Sequence, residues 1–88
     1  MSWVYRFDAR ALKEFKKLGP QAQKDILDYL DKRISSGEDP RIFGKGLRAN
    51  LSGLWRYRVG NYRILCQIKD LELIVLVVAV GHRKDVYE

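Results

Sequence analysis

Three arginines crowd the middle of the chain in a pattern that suits phosphate binding. Arg56, Arg58 and Arg63 lie within the stretch LWRYRVGNYRIL, where they alternate with large aromatic and aliphatic side chains and no acid intervenes. A guanidinium group can donate two parallel hydrogen bonds to a phosphate. Fixed positive charge also stabilises a phosphate that gains charge in a transition state. The stretch therefore indicates phosphate recognition and suits chemistry at a phosphate.

A second group of reactive side chains follows the last apolar run. His82, Arg83, Lys84 and Tyr87 lie within six residues of one another. Histidine titrates near neutrality, and tyrosine, lysine and arginine can move protons when their affinities are perturbed. RNA cleavage by its own 2′-hydroxyl needs a base, positive charge on the phosphate and an acid for the leaving 5′ oxygen. The two groups together fit that reaction, and the 2′-hydroxyl confines it to RNA.

The positive charge of the chain is concentrated in one segment. The net charge is +6, and residues 40–69 carry seven Lys or Arg and no Asp or Glu, while the remaining residues carry ten basic and eleven acidic side chains. Such asymmetry predicts a polyanionic partner: a nucleic acid, an acidic protein segment or a membrane surface. One histidine, one cysteine and scattered acids do not make a metal site, and we predict no metal and no cofactor.

Length and hydropathy predict a small domain away from the membrane. Eighty-eight residues suit a single domain spanning 1–88. The first ten residues lack the uncharged apolar core of a signal peptide. The strongly apolar run 71–80 is too short to cross a bilayer as a helix. We therefore expect a soluble cytoplasmic protein.

The first half of the chain predicts one strand and two helices. Trp3 to Phe7 alternates like a short strand, and Asp8 is placed to cap a following helix. Gly19-Pro20 separates that helix from a second one, which is expected to run to about Ser35. The apolar positions that recur at helical spacing are Ala11, Leu12, Phe15, Leu18, Ala22, Ile26, Tyr29, Leu30 and Ile34. Two helices with so short a break predict an antiparallel helical hairpin.

The second half predicts three strands after a loop that includes a Gly44-Lys45-Gly46 turn. The strands are expected at Leu54 to Val59, Tyr62 to Ile68 and Glu72 to Val80, with a two-residue hairpin turn at Gly60-Asn61. The last run is apolar enough for an inner strand. The predicted fold class is α+β in the order β-α-α-β-β-β, a mainly antiparallel sheet with the helical hairpin packed on one face.

The hairpin register separates the opening stretch into two faces. Val59 opposite Tyr62 places Arg58 opposite Arg63. One face, expected to be covered by the helices, holds Trp55, Tyr57, Val59, Tyr62, Ile64, Cys66 and Ile68, and the other holds Arg56, Arg58, Arg63, Leu65 and Gln67. Like charges directly opposite each other destabilise a strand pair, which predicts a phosphate ligand between them. The alternative is that these arginines only keep the face soluble and prevent edge pairing.

Three segments resemble the RelE/ParE superfamily of bacterial toxin–antitoxin systems, over essentially the whole chain. FDARALKEFKKLG resembles the opening helix of RelE-type members, LWRYRVGNYRIL resembles the superfamily hairpin, and VGHRKDVY resembles its terminal motif. The resemblance implies the RelE-like microbial RNase fold and a metal-independent mRNA interferase that cleaves messenger RNA in the ribosomal A site. It also implies an inhibitory RelB-type antitoxin that wraps the toxin, and a complex that binds operator DNA through the antitoxin.

The resemblance to the RelE/ParE superfamily also implies roles for individual residues, matched by their position in the motifs. Arg63 matches the arginine that contacts the scissile phosphate, Arg83 the arginine that stabilises the transition state or acts as acid, and Tyr87 the tyrosine that stacks on or activates the nucleotide. Arg56 and Arg58 stand where RelE-type members carry paired lysines. The full set expected to bind RNA or the ribosome is Arg56, Arg58, Lys45, Arg48 and Lys84. That His82 shares the acid–base work is our own hypothesis, because a lysine is common at its position in the family.

Two other functions remain open at the level of sequence. A ParE-type toxin on the same fold inhibits DNA gyrase by protein binding and cleaves no RNA. A plain nucleic-acid-binding module would use the same charges without toxicity. Arg83 and Tyr87 favour the nuclease, since a gyrase inhibitor has no need for that pair.

Overall fold

The structure, a computed structural model that describes residues 2–35 and 37–82, is a five-stranded mixed sheet with two helices on one face. The elements are β1 (Val4–Phe7), α1 (Ala9–Lys16), α2 (Pro20–Arg33), β2 (Lys45–Gly46), β3 (Trp55–Val59), β4 (Tyr62–Lys69) and β5 (Ile74–His82), with 3-10 helices at Pro40–Ile42 and Ala49–Leu51. The strand order is β1-β5-β4-β3-β2. The β1–β5 pair is parallel, and the β2–β3, β3–β4 and β4–β5 pairs are antiparallel. The predicted fold class is confirmed.

Both helices begin where the sequence predicts. The Asp8 carboxylate accepts a hydrogen bond from the backbone N–H of Ala11 at 2.8 Å, which caps α1. Pro20 occupies the first turn of α2. That helix ends at Arg33, slightly before the expected Ser35. The buried side chains of the two helices are Ala11, Phe15, Ile26 and Leu30, and with Ile34 they pack on the sheet as one core.

The hairpin register follows the prediction in each pair. Val59 lies opposite Tyr62 and Arg58 opposite Arg63. Tyr57, Ile64 and Cys66 are fully buried against the helices. The period-two alternation of the strands therefore separates a core face from a face that carries the arginines.

Two details of the sheet differ from the sequence prediction. Lys45 lies in the short edge strand β2, where we expected a turn, because it pairs with Arg56 of β3. Strand β5 begins at Ile74 instead of Glu72 and continues to His82, beyond the expected end at Val80. Residues 70–73 form the turn instead, and Leu73 adopts a left-handed conformation with φ of 55°.

No helix within residues 2–35 and 37–82 is both long and apolar enough to cross a membrane.

Candidate RNA-binding face

Four basic side chains lie in two neighbouring rows across the face of the sheet that the helices leave uncovered. The first row runs from Arg58 through Arg63 to Gly81. The second row begins with Lys45 and Arg56 and continues to Leu65 and Ala79. We call the surface formed by Lys45, Arg56, Arg58 and Arg63 the arginine face. Side chains directly opposite each other in such rows have Cβ atoms about 5 Å apart, close enough to share one phosphate.

Arg63 is the most sheltered member of the arginine face. Its residue exposure is only 7%, whereas Arg58 and Lys45 are exposed. Arg63 lies on β4, the central strand of the five described, between Arg58 of β3 and Gly81 of β5. The Arg63 guanidinium also donates a long hydrogen bond, 3.4 Å, to the carbonyl of Tyr62. A sheltered guanidinium has few orientations and makes a fixed anchor for an anion.

Three members of the arginine face make no ion pair with an acid of the described residues. Among residues 2–35 and 37–82, the ion pairs involve Arg10, Lys24, Arg41 and Lys69, and none involves Lys45, Arg58 or Arg63. Two like-charged pairs stand directly opposite each other, Arg58 with Arg63 and Lys45 with Arg56. Each such pair raises the free energy of the folded chain. An anion between the members of a pair removes that repulsion.

Gly44 allows β2 to approach β3 and so brings Lys45 to the arginine face. Its φ is +74°, and a Cβ built there would lie 2.3 Å from the carbonyl oxygen of Arg56. The loop before β2 is held by two side chains of β3: the Trp55 indole donates to the carbonyl of Phe43 at 2.6 Å, and the Tyr57 hydroxyl donates to the carbonyl of Pro40 at 2.8 Å. Sequence reasoning missed this pairing. The two glycines around Lys45 were its only signal, and they equally suit a turn.

The protonatable groups beneath the sheet are core residues. Burial raises the pKa of the Tyr57 phenol and of the Cys66 thiol, so both stay neutral. Neither side chain lies on the arginine face, since Tyr57 pairs with Ile64 and Cys66 with Trp55 on the core face. Proton transfer at the arginine face must therefore use other groups.

The structure does not bring His82 to the arginine face. His82 pairs with Tyr62 across β4 and β5, and the two rings meet edge to face with centroids 5.9 Å apart. Tyr62 packs against the core, so the His82 ring lies on the helix side of the sheet. Strand alternation explains this placement, because His82 is one residue beyond Gly81, the neighbour of Arg63.

The remaining expected site residues fall in two groups. Arg48 precedes the 3-10 helix Ala49–Leu51, beyond the paired part of β2, and is therefore outside the two rows. Arg83, Lys84 and Tyr87 lie outside the described residues. The predicted site is thus brought together at Lys45, Arg56, Arg58 and Arg63, and not at Arg48 or His82.

The described residues were also compared with the ligand sets that bind metal ions. Residues 2–35 and 37–82 contain no group of three or more His, Cys, Asp or Glu side chains that could hold a metal ion.

The chain is similar to known toxins over almost its full length. A family model described as "ParE toxin of type II toxin-antitoxin system, parDE" matches residues 5–87. Toxin RelG of Mycobacterium tuberculosis is 32% identical over 87 residues, which cover 99% of this chain and 98% of that protein. The mRNA interferase toxin RelE of Escherichia coli K12 is 31% identical over 86 residues, covering 96% of this chain and 86% of that one.

Solved structures give the same result. The structure of the toxin–antitoxin complex RelBE2 from Mycobacterium tuberculosis contains a chain that matches with a TM-score of 0.84 and 30% identity, covering 94% of this chain and all of that one. The isolated E. coli RelE toxin matches with a TM-score of 0.71 and 26% identity, over 93% of this chain and 84% of that chain. The fold, the arginine hairpin and these relatives lead to one conclusion: the chain belongs to the RelE/ParE superfamily of toxins from type II toxin–antitoxin systems.

Proposed function

We propose that this toxin is a ribosome-dependent endoribonuclease that cleaves messenger RNA in the A site and so inhibits translation. The observation that carries the proposal is the opposed pair Arg58–Arg63, neither of which makes an ion pair with a carboxylate of the described residues. A fold that retains such repulsion gains most from a phosphate ligand. The relative named mRNA interferase toxin RelE supports RNA as the source of that phosphate.

The proposed reaction is attack of the RNA on itself. The 2′ oxygen loses its proton and forms a bond to phosphorus, while the bond from phosphorus to the 5′ oxygen breaks. The 5′ oxygen takes up a proton, so the products are a 2′,3′-cyclic phosphate and a 5′-hydroxyl end. Arg63 holds the scissile phosphate, and Arg58 adds charge as the phosphate becomes pentacovalent. Neither step requires a metal ion in this proposal.

Proton transfer is assigned to the end of the chain. Arg83 stabilises the transition state or protonates the 5′ oxygen, and Tyr87 stacks on or activates the nucleotide, as their positions in the terminal motif imply. Arg56 and Lys45 hold the RNA strand, because arginine hardly loses its proton and Lys45 is at the sheet edge. Arg48 and Lys84 are proposed to contact RNA or ribosome outside the two rows. We leave His82 out of the reacting group, since its ring lies on the helix side of the sheet.

The proposed partners follow from the same charges. One relative was solved as a toxin–antitoxin complex, and we propose a RelB-type antitoxin that covers this toxin with an acidic or amphipathic segment. Such a complex would bind operator DNA through the antitoxin. The 30S A site as the place of action implies a cytoplasmic protein. Electrostatic inhibition predicts that the affinity of the complex falls as salt rises, and an affinity independent of salt would contradict it.

The proposal is tested by mapping RNA ends in a cell-free translation reaction. We expect new 5′-hydroxyl ends within translated codons only when ribosomes are present, and loss of these ends in Tyr87→Phe. Arg41→Ala is the matched control, because Arg41 is bound to Asp70 away from the arginine face. Intact messenger RNA with the wild-type toxin, under conditions that stop translation, would overturn the nuclease proposal.

A second function deserves a direct test because the matching family model is described as a ParE toxin. A ParE-type toxin inhibits DNA gyrase by protein binding and leaves RNA intact. Purified gyrase with plasmid DNA distinguishes the two: gyrase-dependent DNA cleavage induced by the toxin supports the alternative. A plain binding module predicts neither result and no growth arrest when the toxin is expressed.

A further inference from the structure

Strand β5 extends well beyond its parallel partner. Strand β1 ends at Phe7, and the last backbone bond between the two strands runs from the N–H of Asp8 to the carbonyl of Val77 at 2.9 Å. The chain then turns into α1, while β5 continues to His82. Among the described residues, β5 pairs from residue 78 onward with β4 alone. Backbone N–H groups on the other side of this extension need a different acceptor.

A side chain of α1 supplies that acceptor. The Glu14 Oε1 atom accepts a hydrogen bond from the backbone N–H of Val80 at 2.9 Å. The second carboxylate oxygen lies 3.5 Å from Nε of Arg10, and the Glu14 side chain is only 32% exposed. Bonds of a carboxylate to a backbone N–H are stronger than neutral ones, and partial burial strengthens them further. Glu14 thus takes the place of the missing strand and ties α1 to the end of β5.

The bonded peptide lies beside the candidate site. Val80 is followed by Gly81, which pairs with Arg63 at the end of the first row of the arginine face. Two residues beyond Gly81 the sequence continues with Arg83. Movement of the Val80 peptide would therefore move Gly81, the residue of β5 that pairs with Arg63. A register bulge between Leu65 and Cys66 lies just before this part of the strand pair, so pairing with β4 alone holds the end of β5 less firmly.

We infer that Glu14 is a positioning residue: through the N–H of Val80 it fixes the end of β5, and so the backbone of Gly81 that pairs with Arg63. This inference rests on the proposed function only for its activity readout. Glu14 touches neither the arginine face nor RNA in this assignment, and it acts on the reaction only through the backbone of β5.

Two variants separate the hydrogen bond from the charge. Glu14→Ala removes the acceptor, whereas Glu14→Gln keeps an oxygen that can accept from Val80. Arg10→Ala is the matched control, because it removes the ion-pair partner and leaves the bond to Val80. We expect Glu14→Ala to lower kcat about tenfold with little change in KM, as loss of one bond to a charged group would. Glu14→Gln and Arg10→Ala should retain most of kcat.

The structural readout does not depend on activity. Amide hydrogen exchange at Val80 should speed up about tenfold in Glu14→Ala and return toward the wild-type rate in Glu14→Gln. The NMR signals of the Arg63 side chain should shift in the first variant only. Unchanged Val80 exchange, or fast exchange with unchanged Arg63 signals, would overturn the inference. If the wild-type toxin cleaves no RNA, the proposed function fails, and the exchange rates and Arg63 signals still decide on Glu14.

Discussion

Two arginine environments in this small domain differ in how their charge is balanced. Arg41 donates two hydrogen bonds of 2.8 Å to the carboxylate of Asp70, joining the loop before β2 to the turn after β4. On the arginine face, by contrast, Arg58 stands opposite Arg63, and neither makes an ion pair within the described ranges. The first arrangement stabilises the fold, while the second costs stability. A charge that the fold does not use for its own stability is available to a ligand.

The largest expected effect separates the two environments directly. Arg63→Ala should reduce RNA cleavage about a hundredfold or more, because it removes the sheltered guanidinium that we propose binds the scissile phosphate. Arg63→Lys should recover part of the rate, since it keeps the charge and loses the fork. Arg41→Ala should leave kcat unchanged. The measurement is single-turnover cleavage on programmed ribosomes, and equal losses in the Arg41 and Arg63 variants would remove the distinction.

A second change attacks the support of the arginine face. Gly44→Ala should lower the free energy of unfolding by about 1–3 kcal/mol, because the left-handed backbone and the contact with the Arg56 carbonyl both become strained. It should also weaken RNA binding by moving Lys45 away from Arg56. Urea unfolding and filter binding measure the two effects. Gly53→Ala is the control, since Gly53 has a φ of +94° but open space around its Cβ position. If Gly53→Ala lost as much stability and as much RNA affinity as Gly44→Ala, the position of β2 would not explain the effects of Gly44→Ala.

Removing the exposed member of the like-charged pair should have opposite effects on binding and stability. Arg58→Ala should reduce the salt dependence of single-stranded RNA binding, with a slope smaller by about 0.7. The same variant should be more stable by roughly a few tenths of a kcal/mol, because the repulsion across from Arg63 is gone. RNA titrations at several salt concentrations and thermal unfolding test both. A destabilised Arg58→Ala would mean that Arg58 stabilises the fold as Arg41 does.

The smallest expected effect concerns the balanced pair. Hydrogen bonding to Arg41 lowers the pKa of the Asp70 carboxyl. Because the folded pKa is below the unfolded one, the pair stabilises the protein above the ordinary carboxyl pKa of about 4 and is lost as the pH falls through the lowered value. Wild type should therefore be slightly more stable than Asp70→Asn at neutral pH, and the difference should vanish in acid. Urea unfolding across this pH range measures it, with Asp25→Asn as control, whose carboxylate bonds the uncharged Gln21. A difference that persists in acid would exclude the charge as its cause.

The central arginine pair of the site can be predicted from local sequence pattern, whereas the contacts that hold the surrounding strands in place cannot. Alternation with a two-residue turn predicts the Arg58–Arg63 pair, because both signals act within a dozen residues. The strand at Lys45 was missed, since its pairing depends on Gly44 and on side chains more than ten residues away. His82 was expected near the arginines from its place in the sequence. One residue along a strand reverses the face, and the extension of β5 to His82 placed it beside Tyr62.

The sequence alone therefore determined the element order, the two faces of the hairpin and the excess of positive charge, since each depends on composition or on the short period of a helix or strand. Only the tertiary structure decided that Arg63 is sheltered, that Lys45 pairs with Arg56, and that Glu14 accepts a hydrogen bond from β5 beyond the end of β1. These features depend on which strand lies in the centre of the sheet and where β1 stops. The Glu14–Val80 bond joins residues 66 positions apart, and no local pattern encodes a contact of that span.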